Sequence, residues 1–146
     1  MGRTEVLTLI VDSSALIAAA DRDARQHGAV GTALQQEQEA LVIPALVANE
    51  ADYTILTRLG IDAELTFLDD LASGWFEVAC LTDDELGAAR DVAAAYRDLR
   101  VGLADASVVV LARRYGTRRL LTLDERDFRA MTPLQGGHFT ILPADA

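Results

Sequence analysis

The amino-acid sequence predicts an α/β fold, in which a mainly parallel β-sheet is covered on both faces by helices. Short aliphatic runs alternate with longer helical stretches, the pattern that parallel strands and their crossover helices produce. The chain has 146 residues, of which 51% are hydrophobic, and this is sufficient for one domain with a substantial core. Because no linker, repeat or low-complexity stretch divides the sequence, we expect residues 1–146 to form a single domain.

The first strand and helix are predicted from a β-branched and aliphatic run. Glu5 to Asp12 reads EVLTLIVD, which is typical of a buried parallel strand and ends on an acid. Ser13 and Ser14 suit the N-cap of a helix over Ala15 to Ala20.

The middle of the chain continues the alternation. Helices are predicted at Gln26 to Gln36, Ala45 to Arg58 and Ile61 to Ala72, and strands at Leu41 to Ile43 and Trp75 to Leu81. Pro44 suits the first turn of the helix that follows it, and Gly60 suits the end of that helix. Cys80 lies on a predicted strand, where we expect it to pack in the core.

The C-terminal part predicts the remaining elements. Helices are expected at Glu85 to Leu99, Leu103 to Tyr115 and Glu125 to Ala130, and strands at Leu120 to Leu123 and Phe139 to Leu142. Asp83 or Asp84 is the expected cap of the first of these helices. Gly102 separates the first helix from the second, which ends at Gly116.

Composition excludes several functional classes. All 13 basic residues are arginine, and the absence of lysine excludes P-loop NTPases and Schiff-base enzymes. A single cysteine excludes an intrachain disulfide framework and a cysteine-based zinc site. The net charge of -10 argues against a broad nucleic-acid-binding surface, although not against a site where metal ions face a phosphate. Without a bilayer-length apolar run or a signal-peptide pattern, we expect a cytoplasmic protein that does not enter a membrane.

Four acidic residues fall where ligands bind in parallel sheets, beyond the carboxyl ends of the strands. Asp12 ends the first strand, and Asp124 follows the strand at Leu120 to Leu123. Glu50 lies on a partly apolar helical face, and Asp105 opens a nearly all-apolar helix. A carboxylate on such a face is costly unless it is paired or binds a cation, and hard oxygen ligands favour Mg²⁺ or Mn²⁺ over zinc.

Each of these acids also has a structural explanation. Asp12, Asp105 and Asp124 are each placed where they could cap a following helix. Glu50 could be an ordinary solvated helix residue. Four such coincidences together are less expected than one shared site, so we favour a site.

The other polar candidates are weaker. His27 and His138 lie in polar or glycine-flanked stretches, so we expect both at the surface and no histidine-based acid–base chemistry. Four arginines near the end of the Asp105 helix either complement the helix dipole or form a small phosphate-contacting patch. They are Arg113, Arg114, Arg118 and Arg119.

Taken in order, four segments resemble the PIN-domain endoribonucleases of the VapC toxin type. The segments are VDSSALIAAAD at Val11 to Asp21, VANEADYTIL around Glu50, GLADASVVVLARRYG at Gly102 to Gly116 and LLTLDERDF at Leu120 to Phe128. Each is weak alone, but their order and spacing cover essentially the whole chain. The resemblance implies a three-layer α/β/α sandwich, which agrees with the pattern described above.

The resemblance also implies roles for individual residues. The catalytic acids would be Asp12, Glu50, Asp105 and Asp124. Asp12 and Asp105 would be the principal metal ligands, and Thr122, the hydroxyl residue that precedes the fourth acid, would support the site. Asp127, which could share or take the fourth position, and Asp98 are further supporting candidates. The acids alone do not distinguish one metal ion from two.

The activity implied by the resemblance is hydrolysis of RNA phosphodiester bonds with Mg²⁺ or Mn²⁺. It further implies a toxin of a type II toxin–antitoxin system, a cognate VapB-type antitoxin as partner, and a homodimer. The alternative is a catalytically silent PIN-fold interaction module, which predicts disrupted acids, whereas all four are present. A haloacid-dehalogenase-type phosphatase would need a second Asp at Ser14 and a lysine elsewhere.

Overall fold

The computed structural model describes residues 8–37 and 39–146. Its centre is one parallel sheet whose strands are β1 (Leu9–Val11), β2 (Leu41–Pro44), β3 (Glu77–Ala79), β4 (Arg119–Leu121) and β5 (Thr140–Leu142). The five strands lie in the order β3-β2-β1-β4-β5, and every neighbouring pair is parallel. All carboxyl ends therefore lie along the same edge of the sheet, as the sequence predicts.

Helices connect the strands and cover the sheet. They are α1 (Ser13–Ala20), α2 (His27–Gln36), α3 (Ala45–Leu59), α4 (Ile61–Ala72), α5 (Asp83–Ala95), α6 (Leu103–Arg114) and α7 (Glu125–Ala130), with a 3₁₀ turn at Arg97–Leu99. Consecutive residues of β1 and β2 are all buried. Because successive side chains of a strand point to opposite faces, both faces of the sheet must be covered. This confirms the predicted α/β/α sandwich.

Most element boundaries agree with the sequence prediction to within one or two residues, and α4 and α7 agree fully. Gly60 ends α3 with a φ of 96°, a backbone conformation that glycine adopts without steric cost. The part of the first predicted strand from Glu5 to Leu7 lies outside the described residues. Across the described ranges, none of the helices is long and apolar enough to span a membrane.

Two predicted caps are corrected by the structure. Ser13 and Ser14 do not precede α1 but belong to it. The Ser13 hydroxyl donates to the distant Glu50 carboxylate, and the Ser14 hydroxyl donates to Asp12, two residues before it. The cap of α5 is Thr82, which accepts a hydrogen bond from the Glu85 backbone N–H, while the Glu85 carboxylate accepts one from the Thr82 N–H. This reciprocal pair is a capping box.

The prediction was also wrong around the third strand and the helix after it. The strand covers only Glu77–Ala79 rather than Trp75 to Leu81, because it lies at the margin of the sheet and pairs with β2 alone. Cys80 is consequently exposed and is not a core residue. The helix predicted as far as Leu99 ends at Ala95, and the 3₁₀ turn replaces its last residues.

Candidate active site

Asp12 lies at the carboxyl end of β1, between that strand and α1. Its backbone N–H donates to the Leu121 carbonyl at 2.9 Å, which continues the pairing between β1 and β4 and holds the residue in place. The side chain is only 2% exposed. Oδ2 accepts hydrogen bonds from Thr122 Oγ1 at 2.8 Å and from Ser14 Oγ at 3.0 Å. Oδ1 is buried and has no hydrogen-bond partner among the described residues.

The two hydroxyls that bind Asp12 are themselves oriented by the backbone. The Leu123 N–H donates to Ser14 Oγ at 2.9 Å, and the Asp124 N–H donates to Thr122 Oγ1 at 3.0 Å. Because each hydroxyl has a single proton and accepts from a backbone donor, both protons are free to point at Asp12. The arrangement fixes one oxygen of the carboxylate and leaves the other available.

Glu50 approaches Asp12 from the second turn of α3. It is exposed, and its Oε1 accepts a hydrogen bond of 2.5 Å from the hydroxyl of Ser13. Ser13 and Ser14, adjacent at the start of α1, therefore hold two different acids. Neither serine was predicted to have this role. The sequence feature that could have indicated it is the pair of serines directly after the aspartate that ends the strand.

Three further acids converge on the same place. Carboxylate oxygens of Asp105, Asp124 and Asp127 all lie within 4.8 Å of one another, and all three residues are half-buried. Asp105 is in the first turn of α6, whose N-cap is Gly102, so Asp105 does not occupy the N-cap position. Asp124 does cap α7, with its Oδ1 accepting from the Asp127 N–H at 3.4 Å. We call the five residues the acid cluster: Asp12, Glu50, Asp105, Asp124 and Asp127.

The electrostatics of the cluster are those of crowded acids, and Arg126 is the positive charge that acts on Asp124. Burial, followed by the negative charges of the four other acids, raises the pKa of Asp105 to about 7. Burial also raises the pKa of Asp12, against the lowering effect of the Thr122 and Ser14 hydroxyls, and the charge of Glu50 adds to the increase. Burial is again the main reason that the pKa of Asp124 is raised.

The remaining candidates lie elsewhere or are already paired. Asp98 is exposed on the 3₁₀ turn, and no interaction described for the acid cluster involves it, so its supporting role stays a prediction. Arg114 binds Glu85, Arg119 binds Glu37 and Arg118 donates to backbone carbonyls, which accounts for three of the four arginines without a phosphate. His27 is half-buried, with Nδ1 2.9 Å from the Ala18 carbonyl oxygen, and is not the free surface residue that was expected.

The donor set fits a hard divalent cation. The free, buried Oδ1 of Asp12 is a polar atom that lacks the partner a buried oxygen needs. The charge of Asp12 acts on Asp105, and the Asp105 carboxylate lies within 4.8 Å of those of Asp124 and Asp127. Mg²⁺ and Mn²⁺ prefer carboxylate oxygens of this kind, and a bound cation would offset both the burial of these carboxylates and the repulsion between them.

The parallel sheet and the acid cluster at its carboxyl edge define an α/β protein with an acidic site, and comparison with known proteins specifies the family. The family model described as PIN domain matches residues 9–132, so the chain belongs to the PIN-domain family. It is 44% identical over 135 residues to Ribonuclease VapC26 of Mycobacterium tuberculosis (strain ATCC 25618 / H37Rv), covering 92% of this chain and 100% of that protein.

Solved structures show the same fold. VapC20 of Mycobacterium tuberculosis, described as a Sarcin-Ricin loop cleaving toxin, superposes with a TM-score of 0.76 at 18% identity, covering 81% of this chain and 91% of that one. A chain of a toxin–antitoxin complex from Klebsiella pneumoniae gives a TM-score of 0.64 at 17% identity, covering 84% and 92%. The predicted resemblance to VapC-type proteins is confirmed.

Proposed function

We propose that this chain is a metal-dependent endoribonuclease toxin that hydrolyses RNA phosphodiester bonds. The observation that supports this most directly is the acid cluster, in which five carboxylates from four separate parts of the chain meet at one edge of the sheet. The relative VapC26, which matches 92% of this chain, is named a ribonuclease. A silent interaction module would have no need of a buried aspartate with an unpaired oxygen.

Asp12 and Asp105 are the residues that would hold the cation, with Asp124 and Asp127 beside them. When bound, a divalent cation supplies Lewis acidity toward the scissile phosphate and lowers the pKa of the attacking water. The Thr122 and Ser14 hydroxyls hold Oδ2 of Asp12 and leave its buried Oδ1 free for a ligand. Such neighbours of metal ligands typically contribute about 10–100-fold in affinity or activity.

Glu50 is the acid best placed to take a proton from the attacking water. It is exposed to solvent, and the Ser13 hydroxyl fixes the orientation of its carboxylate. A positioned base of this kind contributes roughly 10²–10⁴-fold to a hydrolysis rate. None of these steps needs a nucleophilic side chain.

We further propose a cognate VapB-type antitoxin as the partner of this chain, and a homodimer as its own assembly. A structural relative was solved as a toxin–antitoxin complex. A partner that brings an arginine to the acid cluster would be favoured electrostatically, because the cluster has an excess of negative charge. With RNA as its substrate, the protein would act in the cytoplasm.

The decisive experiment uses purified protein and a mixture of cellular RNAs. We expect cleavage with Mg²⁺ or Mn²⁺, loss of cleavage in excess EDTA, and recovery when the cation is restored. The Asp12→Asn variant, purified in parallel, controls for a contaminating nuclease. Cleavage that continues undiminished in chelator, or that is equal in Asp12→Asn, would exclude this function. Sequencing of RNA 5′ ends after brief induction in cells would then identify the cleaved sites.

A further inference from the structure

An arginine side chain lies next to the acid cluster. Arg126 lies in the first turn of α7, between Asp124 and Asp127, and it is exposed. It directly precedes Asp127, whose carboxylate lies within 4.8 Å of those of Asp105 and Asp124.

Arg129, on the same helix, has a structural role. Arg129 bonds Glu125 at 3.0 Å and Asp145 at 2.7 Å, and so ties α7 to the C-terminal segment. Arg126 has no hydrogen bond or ion pair within the described ranges. A fixed Arg129 and an unpaired Arg126, three residues apart, indicate that folding does not use the guanidinium of Arg126.

RNA is a polyanion, and the acid cluster repels it wherever a cation does not intervene. A divalent cation compensates at the scissile phosphate, but the adjacent phosphates of the strand meet the same negative surface. Guanidinium groups bind phosphate with two parallel N–H donors, and an exposed arginine can adjust to a flexible strand. Arg126 has both the chemistry and the position to do this.

Resting on the proposed ribonuclease function, we infer that Arg126 is a substrate-binding residue that contacts an RNA backbone phosphate next to the scissile bond. The contact is to the backbone and is independent of base sequence. This contact strengthens RNA binding, so Arg126 lowers the KM for RNA and adds one phosphate contact to the complex.

The test compares Arg126→Gln and Arg126→Lys with the wild type. We expect Arg126→Gln to raise the KM for a fluorogenic oligoribonucleotide about tenfold with little change in kcat, as loss of one charge-assisted hydrogen bond predicts. Arg126→Lys keeps the charge and loses the bidentate geometry, so it should recover part of the loss. Because Arg126 is exposed, the melting temperature of each variant should match that of the wild type.

Binding is measured separately from cleavage in a Glu50→Gln background, which retains the other four acids. Fluorescence anisotropy with a labelled single-stranded RNA in Mn²⁺ should show weaker binding for Arg126→Gln. The slope of log K against log salt should fall by about 0.7 to 1, the contribution of one phosphate contact. The control is Arg113→Gln, the same charge change at an exposed position about 12 Å along α6 from Asp105.

The outcomes separate this inference from the proposed function. If Arg126→Gln leaves KM and the salt slope unchanged, or matches Arg113→Gln, the inference is wrong while the ribonuclease stands. If only kcat changes and the pH profile shifts, Arg126 acts on Asp124 and not on RNA, which also overturns the inference. If the wild type neither binds nor cleaves RNA in Mn²⁺, the proposed function fails and the inference fails with it.

Discussion

Charged side chains are arranged differently at the two edges of the sheet. At the amino edge, Arg119 at the start of β4 binds the Glu37 carboxylate through both Nη atoms, at 2.8 and 3.0 Å. At the carboxyl edge, the same strand leads into Thr122, which supports Asp12 among four other acids. One edge pairs opposite charges, and the other brings like charges together.

This contrast distinguishes what folding requires from what function requires. A buried carboxylate without a cation opposes folding, because burial and neighbouring charges both favour its neutral form. The amino edge has the arrangement expected from stability alone. The carboxyl edge is tolerated because the core beneath it, with β1 and β2 fully buried, holds the strand ends in place. Unpaired acids in such a place are typical of functional sites.

The sharpest test of the contrast removes acids from the carboxyl edge. We expect Asp12→Asn and Asp105→Asn each to reduce RNA cleavage to the background of the assay, since both residues are proposed to hold the cation. In EDTA, the melting temperature of each variant should equal or exceed that of the wild type, because each change removes like-charge repulsion. A variant that is destabilised but retains its activity per folded molecule would show that the acid is structural.

The next test separates two acids of the cluster that are one helical turn apart. Asp124→Asn should reduce cleavage more than Asp127→Asn, because Asp124 lies nearer the end of β4 and caps α7, whereas the Asp127 N–H supports it. We expect a loss of roughly 10–100-fold for Asp127→Asn, the usual effect of a supporting neighbour. Rates at saturating Mn²⁺, corrected for the folded fraction, decide the comparison. A larger loss from Asp127→Asn would reverse the assignment.

The sequence predicted the gathering of the acids because parallel topology brings strand ends together. Asp12 and Asp124 follow adjacent strands, so their proximity needed only the strand order. The proximity of Asp127 depends on how tightly α7 begins, since the Asp127 N–H folds back onto the Asp124 carboxylate. Sequence spacing alone does not contain that geometry.

The errors have a common physical cause, which is that tertiary partners decide between local options. Ser13 and Ser14 have the cap preference of all serines, but acids and hydroxyls 37 and 108 residues away compete for their hydroxyls. The exposure of Cys80 depends on β3 lying at the margin of the sheet, which its own residues do not show. The Thr82 capping box was visible in the sequence as T-x-x-E, and the adjacent aspartates obscured it.

At the amino edge we expect a substitution to reduce stability and leave activity unchanged. Arg119→Gln should lower the free energy of unfolding by about 1–3 kcal/mol, because it leaves the largely buried Glu37 carboxylate without its guanidinium. The specific activity of the folded protein should not change. Urea denaturation measures the first effect and RNA cleavage the second. The control is Arg90→Gln at a fully solvated ion pair, where we expect a change below about 0.5 kcal/mol. Loss of activity without loss of stability in Arg119→Gln would contradict the division between the two edges.

The smallest expected effect is a pH dependence of stability in the metal-free protein. The pKa of Asp105 is about 7 when folded and 3.8 in the reference state, so between these values the folded state binds more protons than the unfolded state. Stability should therefore fall as the pH rises from about 4 to about 7, and the raised pKa of Asp12 acts in the same direction. Asp105→Asn should flatten this slope only in part, because Asp12 remains and solvent screens the half-buried Asp105.

A second pH window provides the internal control. Arg114 lowers the pKa of Glu85 to about 2, so the stability from that pair is present above the ordinary pKa of 4.5 and is lost as the pH falls toward 2. Thermal melts in EDTA across both windows should thus show opposite slopes: stability falls with rising pH above about 4 because of the acid cluster, and falls with decreasing pH below about 4.5 because of Glu85. Asp105→Asn should change only the upper slope and Glu85→Gln only the lower one. If Asp105→Asn left the upper slope unchanged, the acids at the carboxyl edge would not be coupled as their geometry requires.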